Sequence, residues 1–277
     1  MTGFSSSFLL LFYQLSLGGL FAMAAAPFHE LERGFFKSTG AVLFVIGLLG
    51  LWGKAQIQAQ LIEGGILSFA AAAEITLYAL FMVFFALYLF SLWGERVRFR
   101  ARCFAWSLLT GAAGLVASAS GFQQAPLLSL ETLFYPVAFF LSALLLGGVT
   151  VGMLIGHWYL IDTGQTIEPF VRIYKFFVVC LVCQICLLAV ATPLLCYFGE
   201  PATQLGIGRL WNEHRTLLLA RFLIAHVGPL VLSFMIWRTL KIPHTMAATG
   251  LFYIALLGVF VGEILSRQIL ALTAFPF

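Results

Sequence analysis

Eight long apolar runs decide what this chain can fold into. They fall at residues 7–26, 39–53, 66–93, 104–121, 131–159, 173–197, 216–237 and 247–273, with short connections between them. About 20 consecutive apolar residues carry a helix across the hydrocarbon core of a bilayer. The second run is short, and its true end is expected to continue through Gln56 to Gln60. The fifth is long enough to tilt or protrude. Unpaired backbone is not tolerated in lipid, and the composition is not that of an alternating β-barrel, so a helical bundle follows. At 62% hydrophobic and 9% charged residues, with 29 Phe in 277 positions, the chain carries more apolar surface than a soluble domain can use.

The expected fold is therefore all-α: a polytopic membrane protein built as one eight-helix transmembrane domain over 1–277, with 1–125 and 126–277 as possible four-helix halves. No internal repeat is convincing. Orientation follows from counting basic residues. Connections after runs one, three, five and seven hold ten of them (Arg33, Lys37, Arg96, Arg98, Arg100, Arg102, Arg172, Lys175, Arg238 and Lys241), against three (Lys54, Arg209 and Arg215) after runs two, four and six. That asymmetry predicts both termini outside, in a bacterial inner membrane. The net charge of +4 thus speaks to topology and not to nucleic acid. Met1 to Ser7 lacks the basic residues of a cleavable leader, so the first run is expected to be retained. The outside connections, Gln56–Glu63, Gln123–Glu131 and Glu200–Arg215, read as weakly charged polar loops.

Within these runs, the few charged side chains are the informative ones. Glu263 and Arg267 stand four apart in the last run, on one face of a helix. Charges inside a bilayer are costly unless paired or facing protein. At 1.5 Å per residue, Glu263 lies roughly 12–15 Å from the outer surface, Arg267 about 6–10 Å, Arg221 about 7 Å, His226 about 15 Å, Glu74 about 12 Å and Gln14 about 10 Å. Two readings compete. The pair is a clamp between helices, or all six groups share a polar pocket in the outer half that supports proton-coupled chemistry. Arg221 and His226 are five apart and so point about 140° away from each other on a regular helix. Both can face one pocket only if the helix is irregular there, as Gly228-Pro229 allows.

Other polar features carry blander readings. His157 ends a stretch with Gly148, Gly152 and Gly156, a small-residue stripe for close helix approach, and with Trp158 and Tyr159 it reads as interfacial. His157 and His226 differ too much in depth to hold one haem, so no haem is expected. Cys180, Cys183 and Cys186 lie in an apolar run and read as packing; with Cys103 and Cys196 they make an odd five and no disulfide framework. The connection Pro27–Lys37 mixes charges with Phe, as solvated loop or partner contact. Glu95–Arg102 reads as a basic stretch facing lipid phosphates. No autonomous catalytic motif or metal site is present.

Four places resemble a known family. Phe12-Tyr13-Gln14 with Gly18-Gly19, Pro136 followed by Gly147-Gly148, Arg221, and Gly262-Glu263 with Arg267 are similar, in order and span, to the membrane anchor subunits of dimethyl sulfoxide reductase-type molybdoenzymes, and more distantly to polysulfide and nitrite reductase anchors. The family's H-L-G segment after span two has no match; His29 follows span one instead. The resemblance implies a quinone-interacting anchor that takes menaquinol or ubiquinol near the outer face and passes electrons to an iron–sulfur or cytochrome subunit. It implies Glu263 or Glu74 as the base, with His226 as carbonyl ligand or proton relay. Arg221, Arg267 and Gln14 would then hold the quinone. On that reading, Glu263→Gln silences quinol turnover and leaves assembly intact. The rival readings are a secondary transporter with its substrate site among the outer charges, and a structural anchor with no quinone site of its own.

Overall fold

The computed structural model describes residues 4–26, 28–63, 69–123, 126, 129–162, 164–242 and 244–277. Met1–Gly3, Pro27, the 64–68 connection and most of 124–128 lie outside the described residues, and so do the parts of the leader, loop and half-boundary readings that fall on them. Ten α-helices and one π-helical turn account for nearly all of the rest: α1 Phe4–Ala25, α2 Arg33–Glu63, α3 Phe69–Ser91, α4 Val97–Phe122, α5 Leu130–Ile161, α6 Glu168–Phe198, α7 Pro201–Glu213, α8 Arg215–Phe222, the turn Leu223–Val227, α9 Gly228–Lys241 and α10 Thr245–Thr273. With α8, the turn and α9 taken as one continuous span, eight helices are long and apolar enough to cross a membrane.

Helix ends depart from the apolar runs in the direction physics requires. A helix does not stop where its apolar residues stop, because backbone pairing continues into the headgroup layer. α2 runs on to Glu63, past the extension to Gln60, and α4 starts at Val97, so Arg98, Arg100 and Arg102 lie on its first turns and not in a loop. Near the ends, cations sit over indoles, Lys37 over Trp93 at 4.7 Å and Lys241 over Trp237 at 3.7 Å, the pairing expected at a membrane interface. Arg172 bridges to Glu30 at 3.1 Å, and Phe28 stacks on Phe36, which accounts for part of the charge and aromatic density after α1.

Two helices form the spine. In α5, 72% of the most apolar window is buried, and in α1 67%, against 28–39% in the other six spans. α2 and α3 gather on the α1 side, α6, α8, α9 and α10 gather on the α5 side, and α4 packs along α3 and reaches both α1 and α5. α1 and α5 touch main chain to main chain. A Cβ on Gly18 would overlap the Ala143 carbonyl, and one on Gly147 would overlap the backbone of Gly18 and Gly19. Gly152 and Gly156 receive Phe252 and Thr249 of α10, so the glycine stripe seats α10. Gly147→Ala is expected to cost about 3 kcal/mol, the upper range for overpacking, because no flexible side chain can yield. Gly250→Ala, where nothing lies within 4 Å, serves as the neutral control; unfolding temperature in detergent measures both.

The Glu200–Arg215 connection is not a loop. Pro201 opens the 13-residue helix α7, which buries Thr203, Gly206 and Leu210 at helical spacing. Gly206 lies against the Thr273 carbonyl, which draws α7 onto the end of α10.

Candidate functional site

The buried polar groups form two centres in the same half of the bundle, toward the end where α1 begins and α10 stops. They stand on opposite sides of the α1–α5 spine.

The first centre is Glu263. Its side chain is buried, as are Arg221 and Arg267. One carboxylate oxygen accepts from Gln184 Nε2 at 3.2 Å and Arg221 Nη2 at 3.3 Å. The other accepts from Arg267 Nη2 at 3.0 Å and from the Ser142 hydroxyl. Arg221 Nη1 also donates to the Gly262 carbonyl at 2.5 Å. Four helices, α5, α6, α8 and α10, thus converge on one carboxylate. Its lone pairs are occupied, and the two guanidiniums more than offset its charge, leaving the cluster one positive charge in excess with Arg221 Nε and Arg267 Nε and Nη1 unpartnered in the protein. Gly262 permits the approach of the π-helical turn that follows α8, since a Cβ there would strike Ala225. The adjoining space, lined by Ser142, Gln184, Arg221 and Arg267, is about 10 Å³. A single water needs about that much, and a ring needs far more.

The second centre is Glu74 of α3. It is paired with Lys54 of α2 and accepts from the Ser118 hydroxyl of α4. Both members of the ion pair are largely buried, at 15% and 11% side-chain exposure. Unlike Glu263, they border real space: a cavity of about 180 Å³ lined by Leu9, Lys54, Gln58, Glu74, Ser118 and Phe122 among others. Gln58 spans the α2–α3 gap by donating to the Ala71 carbonyl at 2.7 Å. One turn further in, Tyr78 stacks on Tyr13 with centroids 3.9 Å apart. Their hydroxyls donate to Gly47 and Gly111, each at 2.8 Å, so a fixed aromatic brace ties α1, α2, α3 and α4 together below the ion pair.

Of the six residues expected to share one pocket, Glu263, Arg267 and Arg221 come together. His226 lies on the next turn of the same span. The irregularity required there is present: Leu223–Val227 is π-helical, closed by Gly228 N–H to the Leu223 carbonyl. A π turn spaces hydrogen bonds at i, i+5, and both Arg221 and His226 are buried as a result. Neither nitrogen of the His226 ring meets a protein hydrogen-bond partner, and the ring borders a separate apolar cavity. Gln14 donates to the Phe139 carbonyl at 2.8 Å on the spine; the Phe139 ring lies under the Arg267 guanidinium at 5.4 Å. Glu74 does not join this group. Chain position gives a residue's depth but not its side of the bundle, and the Phe139 ring stands between the two centres, against Arg267 on one side and against Phe122 of the Glu74 cavity on the other.

Lys54, Ser118, Ser142 and Gln184 were not singled out by sequence. Lys54 counts as a loop charge if the second run ends at residue 53; continuing that helix to Gln60 places it inside the span. His157 is exposed and lies 3.3 Å from the Tyr253 hydroxyl. Cys180 is buried, while Cys183 and Cys186 face outward. Among the described residues, no three His, Cys, Asp or Glu side chains gather as metal ligands. No protein-family model matches the chain, and no curated protein matches it in sequence.

Proposed function

We propose that this chain is the quinone-interacting membrane anchor of a multisubunit respiratory oxidoreductase in a bacterial inner membrane. It exchanges electrons between menaquinone or ubiquinone and an iron–sulfur or cytochrome partner subunit. One observation carries the reading: a carboxyl–amine pair, Glu74 with Lys54, faces a cavity of ring size. A cavity of about 150 Å³ holds a benzene ring, and the Glu74 cavity is about 180 Å³. The Glu263 space, about 10 Å³, admits no headgroup. The quinol base is therefore Glu74, and the Glu263 centre is the clamp.

A quinol gives up two protons and two electrons to become a quinone. Glu74 accepts the first proton from the hydroxyl it faces, acting as general base. Lys54, held beside it, stabilises the negative charge that the ring oxygen then carries. The second proton leaves toward the cavity mouth, and both electrons pass to the partner subunit. Apolar lining from Leu9, Ile57 and Phe122 accommodates the start of the isoprenoid tail.

Lys54→Met keeps the stem and removes the ammonium. Equilibrium binding of a short-tailed quinone to the purified protein is expected to weaken by about tenfold or more, the worth of one charge-assisted hydrogen bond. Unchanged binding would remove the cavity from the mechanism and leave a structural anchor. Copurification with an iron–sulfur or cytochrome subunit tests the other half of the reading.

A further inference from the structure

His226 is 2% exposed, and both of its ring nitrogens lack a protein partner. An orphaned pair of this kind in a membrane span is costly unless something else satisfies it. The ring lines a cavity of about 290 Å³ between α6 and the α8 segment, together with Leu188, Thr192, Pro193, Phe222 and Phe277. A second cavity, about 270 Å³, shares Thr192, Phe222 and Phe277 and extends to Leu210 and Trp211 of α7. Thr192 Oγ1 is also buried without a partner. Its neighbour Pro193 lies inside α6 and supplies no N–H to the carbonyl of Ala189, another residue of the lining. No Lys, Arg, Asp or Glu borders either cavity.

These walls define their occupant. A phospholipid headgroup would place a phosphate charge against a neutral surface with no cation to meet it. A bare acyl chain would fill the space but leave the imidazole and the threonine hydroxyl unsatisfied. What fits both is a neutral molecule with one or two ring oxygens and a long apolar body. Phe222, 6.0 Å from the imidazole and tilted 32° to it, offers that ring an aromatic neighbour.

We propose that the cavity between α6 and the α8 segment is a second ligand site, distinct from that of Glu74, which takes a neutral amphiphile of the phenol or hydroquinone class. Its ring hydroxyl bonds to His226 and Thr192, and its tail lies along α6 toward α7. The choice of a hydroquinone head rests on the quinone reading above; the site itself does not.

The test is photolabelling of the purified full chain with an alkyl hydroquinone carrying a diazirine on the tail carbon next to its ring, with adducts mapped by mass spectrometry. Labels are expected on residues 185–193 and 218–226, in addition to α2–α4. His226→Leu and Thr192→Val should each reduce the α6/α8 label by about fivefold, the worth of one hydrogen bond, without changing the label near Glu74. Thr192→Val is close to isosteric, so the result stands even if His226→Leu fails to accumulate. A plain alkyl diazirine of equal length should label α6/α8 much less. Equal labelling by the two probes, or labelling indifferent to both variants, would make this a generic lipid groove and overturn the proposal. Labels on α6/α8 with none on α2–α4 would instead sink the Glu74 reading and leave this one standing.

Discussion

Glu263→Gln is expected to deplete the protein from the membrane, not merely to silence it. The carboxylate is the common counter-charge of Arg221 and Arg267, and it also gathers Ser142 and Gln184. Glutamine would leave two buried guanidiniums facing each other with no anion between them. Removing one member of a buried ionic group costs about 3–5 kcal/mol, because the remaining charges stay desolvated. The membrane-inserted level and the unfolding temperature in detergent should both fall. Neutralising all three together, Arg221→Gln with Glu263→Gln and Arg267→Gln, should recover part of that loss, since no charge then remains uncompensated. If Glu263→Gln accumulates and melts normally yet loses quinol turnover, the carboxylate is a working base and the clamp assignment fails.

Glu74→Gln should behave in the opposite way. The amide keeps a hydrogen-bonding oxygen for Lys54 and Ser118, and the pair borders a cavity and not a closed core. Assembly should be near normal. Quinol-driven turnover of the intact complex should fall by about 100-fold or more, the usual worth of a general base. Electrons given directly to the partner subunit by a soluble reductant should still drive turnover at the wild-type rate. A loss with both donors would point to failed assembly; no loss with either would mean that the proton leaves by another route.

The bundle was legible in the chain to a considerable depth. Apolar run length determined eight spans, and counting residues along them placed the polar groups in one half. The i, i+4 spacing of Glu263 and Arg267 predicted their contact, observed at 3.0 Å. The mismatch between Arg221 and His226 called for an irregular helix, and a π turn is there. What residue counting cannot supply is azimuth. Glu74 sits at a depth similar to that of Glu263, yet it belongs to a different group of helices, and only the packing of α1 against α5 decides that. Neutral partners were also easy to pass over. Ser142 and Gln184 barely interrupt the hydropathy of their runs, and the buried stripe of α7 is made of Thr203, Gly206 and Leu210, too polar to register as an amphipathic helix.

The contact between Gly18 and Gly147 has a mechanical consequence. α1 belongs to the first group of four spans and α5 to the second, so the seam between them is where a rocking carrier would have to flex. Here that seam is backbone on backbone, pinned nearby by Gln14 to the Phe139 carbonyl, with no rotamers available to absorb a sliding stroke. Alternating exposure of a substrate by swinging one half past the other would have to tear this junction open. The junction thus favours small movements within each group of helices over sliding of one group past the other.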